Sequence, residues 1–225
     1  MTVQTLTPEE ARILAVLFEK QYTVPDSYPL SLNALTLGCN QKTAREPVMQ
    51  LTESEVLKAI ERLKALSLVN EVSGSRVTRF DHNMPRGLGV PTQGAALLTM
   101  LILRGPQTSA ELRLHTERLH RFADISSVEG FLEELGQRDP PRARKLARAP
   151  GAREARWAHL LSGEPPASAD DSPAVIATRR APADADELAT LRTEQARLSA
   201  EVASLRTLVL RLAGELGIAV DDPQR

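Results

Sequence analysis

The chain has 225 residues, with 28 basic and 29 acidic side chains, so its net charge of −1 provides no overall attraction to nucleic acid. A single cysteine excludes an internal disulfide and any zinc site built from several thiolates. Apolar residues make up 42% but aromatic residues only 3%, a composition that favours small helical cores built on Leu, Val, Ile and Ala.

A first domain is predicted over residues 1–90, with three helices followed by a β-hairpin. The hairpin strands are expected at 68–73 and 76–80, on either side of Gly74. Residues that can cap a helix precede each run of apolar residues at helical spacing. These caps are Thr7 (followed by Pro8), Ser31, and Thr52 in a capping box with Glu55.

The same order repeats over residues 91–162, which we predict to be a second domain. Its helices are expected to be capped by Thr92, by Thr108 with Glu111, and by Ser126 with Glu129. A second hairpin is expected around Pro150 and Gly151. The third helices of the two copies share one apolar pattern. When the copies are aligned at an offset of 72 residues, the positions of Val56, Ile60 and Leu63 correspond to those of Val128, Leu132 and Leu135.

Helix, turn, helix and hairpin, in that order, are typical of a winged helix-turn-helix. We therefore predict a mainly α fold with small β-hairpins (α+β), made of two tandem winged helix-turn-helix domains.

Two further segments follow. Proline, alanine, serine and aspartate dominate residues 163–185, which predicts a disordered linker. Residues 186–217 carry a seven-residue apolar repeat, which predicts a coiled-coil helix that joins two chains in a parallel homodimer. The alternative is an amphipathic helix that folds back on its own domains. The residues predicted to form the dimer seam are Leu191, Leu198, Val202, Leu205, Val209 and Leu212.

Five stretches also carry a family resemblance: TVPDSYPLSLNAL (23–35), CNQKT (39–43), REPV (45–48), LRGPQTSAELR (103–113) and PGARE (150–154). In these stretches, residues 7–162 resemble the YceH-like family of uncharacterised bacterial proteins. The resemblance implies two tandem winged-helix domains. It implies no reaction, ligand or catalytic residue.

A winged helix most often binds DNA, through its third helix and its hairpin. The third helices here are poor candidates, because the first exposes charges of both signs and the second carries Glu129, Glu133 and Glu134. Basic residues elsewhere are better placed to meet phosphate. The candidates are Lys42 and Arg45 in the first turn, Arg76 and Arg79 in the first hairpin, and Arg144, Lys145, Arg148, Arg153 and Arg156 in the second.

Each of these features also has a plainer interpretation. The basic second hairpin can be a solvated ribbon without a partner. Asn33, Asn40 and Gln41 can satisfy backbone groups in the long turn instead of reading bases. Trp157 can belong to the core instead of stacking on a base. Cys39 is expected to be a small buried residue, not a reactive thiol.

No pattern predicts catalysis: nucleophiles lack visible partners, and His115 and His120 are five positions apart, so they would not share a helical face as metal ligands do. We expect a non-enzymatic protein that has neither a cofactor nor a metal. We expect it to bind DNA, as a transcription regulator does. The alternative is a protein-interaction scaffold like the winged-helix subunits of chromosome-organising complexes. The acids Glu9 and Glu10 and the shortness of the apolar run at 95–103 predict a cytoplasmic location without a signal peptide or membrane contact.

Overall fold

The computed structural model describes residues 5–72, 77–148 and 151–164, all within one unit that spans residues 1–168. Within these ranges the fold is mixed α/β, about half helical, with seven α-helices and two small antiparallel sheets. The predicted coiled-coil helix, nearly all of the predicted linker and Arg76 lie outside the described residues. Their assignments stay predictions, as does the domain boundary near residue 90.

The elements are numbered in chain order. The α-helices are α1 (Pro8–Thr23), α2 (Leu32–Cys39), α3 (Glu53–Ala65), α4 (Met84–Leu88), α5 (Thr92–Arg104), α6 (Ser109–His115) and α7 (Ile125–Gln137). The strands are β1 (Leu30–Ser31), β2 (Val69–Val72), β3 (Arg79–His82), β4 (Ala143–Lys145) and β5 (Trp157–His159). None of the helices in the described ranges combines the length and the apolar character needed to cross a bilayer.

The two halves of the described chain repeat one arrangement of elements. In the first, α1, α2 and α3 precede the β2–β3 hairpin, and β1 adds a third strand through the pair Leu30–Phe80. In the second, α5, α6 and α7 precede the β4–β5 hairpin, and Gln107 forms a single bridge to Trp157 where β1 would stand. Helices α3 and α7 are each 13 residues long, and the three apolar residues that the sequence matches between them are buried in both, which confirms the shared register.

Most of the predicted helix caps are confirmed. Thr7, Thr52 and Thr108 each form a complete capping box, and the Ser31 side chain accepts a hydrogen bond from the Ala34 amide. These contacts satisfy amide groups that have no partner within the first turn of a helix.

Two predicted caps are wrong. Thr92 is the first residue of α5, and Pro91 occupies the cap position without a side-chain hydrogen bond. Helix α7 begins at Ile125 and is capped by Asp124, whose Oδ1 accepts from the Ser127 amide at 2.7 Å. The Asp124 carboxylate therefore takes the cap role predicted for Ser126. The Glu129 carboxylate accepts from the Ser109 hydroxyl at 3.2 Å, outside any capping box.

Replacing Thr52 by alanine is expected to lower the free energy of unfolding by about 1 kcal/mol, because the Glu55 amide loses its acceptor at the start of α3. Urea denaturation followed by circular dichroism measures the difference. Ser54→Ala is the matched control, since Ser54 is exposed on the same helix. Equal effects of the two changes would contradict the capping role of Thr52.

The centre of the structure is the contact between α1 and α5. Ile13, Leu14 and Leu17 of α1 and Leu97, Leu98 and Leu101 of α5 are all fully buried. Both helices are buried around much of their circumference, because each also packs against the other helices of its own half. One continuous hydrophobic core therefore runs through both predicted domains.

Candidate nucleic-acid interface

The root of the β4–β5 ribbon is fixed by Trp157. Its amide donates to the Gln107 carbonyl at 2.7 Å, and its carbonyl accepts from the Gln107 amide at 3.1 Å. The side chain is only 4% exposed, which confirms that Trp157 is a core residue at the base of the hairpin and not a stacking platform. Beyond the root, the Leu146 amide donates to the Arg156 carbonyl at 2.7 Å and extends the pairing toward the tip.

All five basic residues predicted on this ribbon are exposed, but two of them already have acidic partners. Arg144 pairs with Glu164, and Arg156 pairs with Glu111 at 3.2 Å while donating to the Pro106 carbonyl at 2.7 Å. Lys145 places its ammonium 5.6 Å from the centre of the Trp157 ring. Within the described ranges, Lys145, Arg148 and Arg153 form no ion pair, so these three are free to meet phosphate.

Arg142 lies at the base of the same ribbon and is 7% exposed. Burial and the charge of Arg138 hold the pKa of Arg142 below its ordinary value. Its Nε–H has no hydrogen-bond partner in the described part of the chain, and the burial of the side chain keeps Arg142 from contacting phosphate directly.

The turn between α2 and α3 corrects one predicted contact. Lys42 is exposed, as a phosphate contact requires, but the Arg45 side chain is fully buried. The Arg45 guanidinium binds both carboxylate oxygens of Glu19 at 3.2 and 2.6 Å and the Gln41 side chain at 2.6 Å. It also donates to the Gly38 carbonyl at 3.2 Å. Arg45 therefore organises the turn from inside and does not reach a ligand outside.

Other polar residues of this turn also have structural partners. Asn40 closes the loop, since its amide group donates to the Leu51 carbonyl and accepts from the Leu51 amide, both at 2.7 Å. This confirms the plainer interpretation of Asn40. Burial by itself would raise the pKa of Glu19, but the hydrogen bonds and charge of Arg45 outweigh it and hold that pKa below its ordinary value.

Cys39 is fully buried, and burial raises the pKa of its thiol to about 12. This confirms the expectation of an inert core residue.

The first hairpin presents less positive charge than the second. Arg79 is half-buried and donates to the Pro29 carbonyl at 2.7 Å, which ties β3 to the loop before β1. Next to it, Glu71 pairs with Lys64 at 2.5 Å. Of the two basic residues predicted to contact phosphate from this hairpin, only Arg79 lies within the described ranges. Its guanidinium already donates to a backbone carbonyl.

The exposed faces of the third helices carry the expected charges. Helix α7 exposes Glu133 and Glu134, and α3 exposes Lys58 and Glu61 together. A phosphate backbone would be repelled by α7 and weakly affected by α3.

Three exposed arginines near the α6–α7 connection were missed from the sequence. Arg118 and Arg121 are exposed within the connection, and Arg113 donates to the Ala123 carbonyl at 3.1 Å. Their irregular spacing does not place them on one face of a helix, so no basic surface is predicted from it. The presence of four arginines within residues 104–121 is the one feature of the sequence that indicates such a surface. No cluster of three or more potential metal-binding side chains occurs in the described ranges.

Comparison with known proteins identifies the family. Residues 6–152 match the model of a protein family of unknown function, DUF480. A UPF0502 protein from Leptothrix cholodnii is 62% identical over 216 residues, covering 96% of this chain and 97% of its own length. A UPF0502 protein from Cupriavidus necator is 61% identical over 220 residues, covering 98% and 90%. These matches confirm the resemblance to the YceH-like family, and the chain belongs to the DUF480/UPF0502 family of uncharacterised bacterial proteins.

Proposed function

We propose that this chain is a non-enzymatic tandem winged-helix protein that binds DNA through the β4–β5 ribbon. The repeated order of three helices and a hairpin supports the winged-helix assignment in both halves. The position of β1, paired with β3 on the far side from β2, supports it in the first half. The bridge between Gln107 and Trp157 is the corresponding feature of the second half.

The observation that carries the proposal is the set of exposed, unpaired cations on a ribbon with a fixed root. Lys145, Arg148 and Arg153 have no acidic partner among the described residues, whereas neighbouring Arg144 and Arg156 do. Phosphate groups can therefore bind the three free cations without first displacing a carboxylate. Release of counterions from the DNA then favours association.

The proposed binding is largely independent of base sequence. The acidic face of α7 opposes entry of that helix into the major groove, and the guanidinium of Arg45 is unavailable for base contacts. Phosphate contacts position a protein on the duplex but carry no sequence information. A transcription-regulator-like role would then need a further determinant of specificity.

Replacing Arg148 and Arg153 together by alanine is expected to weaken DNA binding by roughly tenfold to a hundredfold at low salt, since two phosphate contacts are lost. The matched control is Lys58→Ala with Arg86→Ala, which removes two exposed cations from helices elsewhere. Fluorescence anisotropy of a labelled duplex of about 30 base pairs measures both variants.

The DNA affinity of the control variant is expected to stay within about threefold of that of the wild type, because charges that contact no phosphate act only at long range. Equal losses in the two variants would contradict a ribbon-specific contact and leave only a general charge effect. Unchanged binding in the ribbon variant would contradict the proposal directly.

A protein-interaction scaffold is the second candidate, and exposed apolar side chains favour it. Leu114 is 67% exposed at the end of α6, and Ile125 is 45% exposed at the start of α7. Affinity capture with and without nuclease separates the two candidates. Partners that survive nuclease and are lost in the Leu114→Ser variant would favour the scaffold.

A further inference from the structure

Two arginines of the β4–β5 ribbon have acidic partners, and the two pairs differ in how firmly the arginine is held. Arg156 contacts the Glu111 carboxylate at 3.2 Å and also donates to the Pro106 carbonyl at 2.7 Å. The same carboxylate accepts from the Thr108 amide at 2.8 Å in the capping box of α6. A phosphate group would therefore have to draw Arg156 away from two acceptors that are themselves fixed.

The pair between Arg144 and Glu164 has no such second anchor. Nη1 of Arg144 donates to Oε1 of Glu164 at 2.7 Å, and Nη2 donates to Oε2. Within the described part of the chain, neither side chain forms another hydrogen bond. Two parallel N–H···O bonds are also the geometry in which a guanidinium binds phosphate. The Glu164 carboxylate thus occupies donors that a phosphate group would use.

Both partners of this pair are open to water. The Arg144 side chain is 48% exposed and the Glu164 side chain 68% exposed. An ion pair this exposed is weak, because water and salt screen the attraction. Its separation leaves no buried charge without a partner, so an anion from outside can displace the carboxylate.

The backbone before Glu164 is fixed close to the ribbon. The Leu160 amide donates to the Arg142 carbonyl at 2.8 Å, next to β4. The Leu161 carbonyl accepts from the Leu6 amide at 2.8 Å, and the Leu161 side chain is buried. These contacts keep the Glu164 carboxylate near its partner at a high effective concentration, as a short tether does.

We propose that Arg144 is a further phosphate contact of the ribbon and that Glu164 competes with DNA for it from within the chain. This inference rests on the proposed DNA contact. In the free protein the carboxylate takes the place of a phosphate group on Arg144. When phosphate displaces it, Glu164 is left as a negative charge beside the duplex and takes up a cation from solution. Glu164 therefore lowers both the affinity for DNA and the net release of counterions.

The test replaces Glu164 by glutamine, which has nearly the same shape and no charge. At low salt the Glu164→Gln variant is expected to bind DNA about threefold to tenfold more tightly than the wild type, since one cation no longer has a competitor. The plot of log binding constant against log KCl concentration should steepen by about 0.9, the contribution of one phosphate contact. Fluorescence anisotropy of the labelled duplex, at a series of KCl concentrations, measures both quantities.

Two controls separate this competition from a general effect of charge. In the Arg144→Gln background, the Glu164→Gln change should alter the affinity by less than about twofold, because no guanidinium is then released. Glu46 is an exposed glutamate that lines the same cleft as Glu164 and forms no ion pair within the described ranges. Glu46→Gln removes an equal charge nearby, and its affinity should stay within about twofold of the wild type.

The outcomes distinguish this inference from the function on which it rests. A gain for Glu164→Gln that disappears in the Arg144→Gln background would support the competition. Equal affinity of the wild type and Glu164→Gln, or an equal gain in both backgrounds, would overturn the competition and leave the ribbon contact standing. Absence of binding by the wild type and by Glu164→Gln would overturn both proposals.

Discussion

Replacement of Arg45 by alanine is expected to lower the free energy of unfolding by about 3–5 kcal/mol. The change leaves the carboxylate of Glu19, which is 14% exposed, without the cation that it contacts at 2.6 Å. It also removes the donor to the Gly38 carbonyl, at the end of α2. Urea denaturation at pH 7, followed by circular dichroism, measures the loss.

Lys42→Ala is the matched control, since Lys42 is an exposed cation of the same turn. We expect it to change the unfolding free energy by less than about 0.5 kcal/mol. Glu19→Gln combined with Arg45→Ala should recover part of the loss, because it removes a largely buried carboxylate that would otherwise keep only Lys20, at 3.3 Å, as its cation. A loss below about 1 kcal/mol for Arg45→Ala would show that the guanidinium lies in solvent, as the sequence suggested.

The free energy of unfolding is also expected to fall when the pH is lowered from 7.5 to 5, by about 2 kcal/mol for each of two histidines. Burial lowers the pKa of both His82 and His159 to about 4. The unfolded chain, with histidine near its ordinary value of 6.5, binds more protons over this interval than the folded chain. Their contribution is therefore complete above about pH 6.5 and is lost as the pH falls toward 4.

Denaturation midpoints in urea at the two pH values measure the effect. His159→Phe removes one of the two groups and is expected to reduce the pH-dependent loss by roughly half. His82 is the less suitable target, because its ring accepts from the Met84 amide at 3.2 Å and contacts Gln21 at 2.7 Å. Equal pH dependence in the wild type and the His159→Phe variant would contradict the burial of a neutral imidazole at that position.

Local features were predictable from the sequence because they depend on neighbouring residues. Capping boxes at Thr7, Thr52 and Thr108 were recognised from a hydroxyl and a glutamate three positions later. The error at Ser126 has the same local origin. Asp124 is an equally good cap two residues earlier, and residue preferences cannot decide between two candidates so close in the chain.

The roles of charged residues were predicted less well, because their partners are distant in sequence. Arg45 was assigned to phosphate, yet it is held by Glu19 from 26 positions away. Arg144 finds Glu164, and Arg156 finds Glu111 from 45 positions away. The packing of helices and hairpins decides which basic side chains remain without an acidic partner. A count of basic residues in the sequence therefore overestimates the number that can contact phosphate.

An apolar cavity of about 400 Å³ between the start of α1 and the end of α5 was likewise not predictable from the sequence. Its wall combines residues of α1, the α2–α3 connection, α5 and the segment after β5, and no two of these segments share a motif. In the sequence, Arg12 is one polar residue within an apolar helix, and nothing next to it in the chain predicts that its side chain is buried.

The salt dependence of DNA binding tests the proposed ribbon contact most directly. For the wild-type protein, a plot of the logarithm of the binding constant against the logarithm of the KCl concentration should have a slope of about −3, from three phosphate contacts at roughly 0.9 each. In the variant that lacks both Arg148 and Arg153, the slope should fall to about −1. A wild-type protein without measurable affinity at low salt, or with the same slope as that variant, would contradict DNA binding through the β4–β5 ribbon.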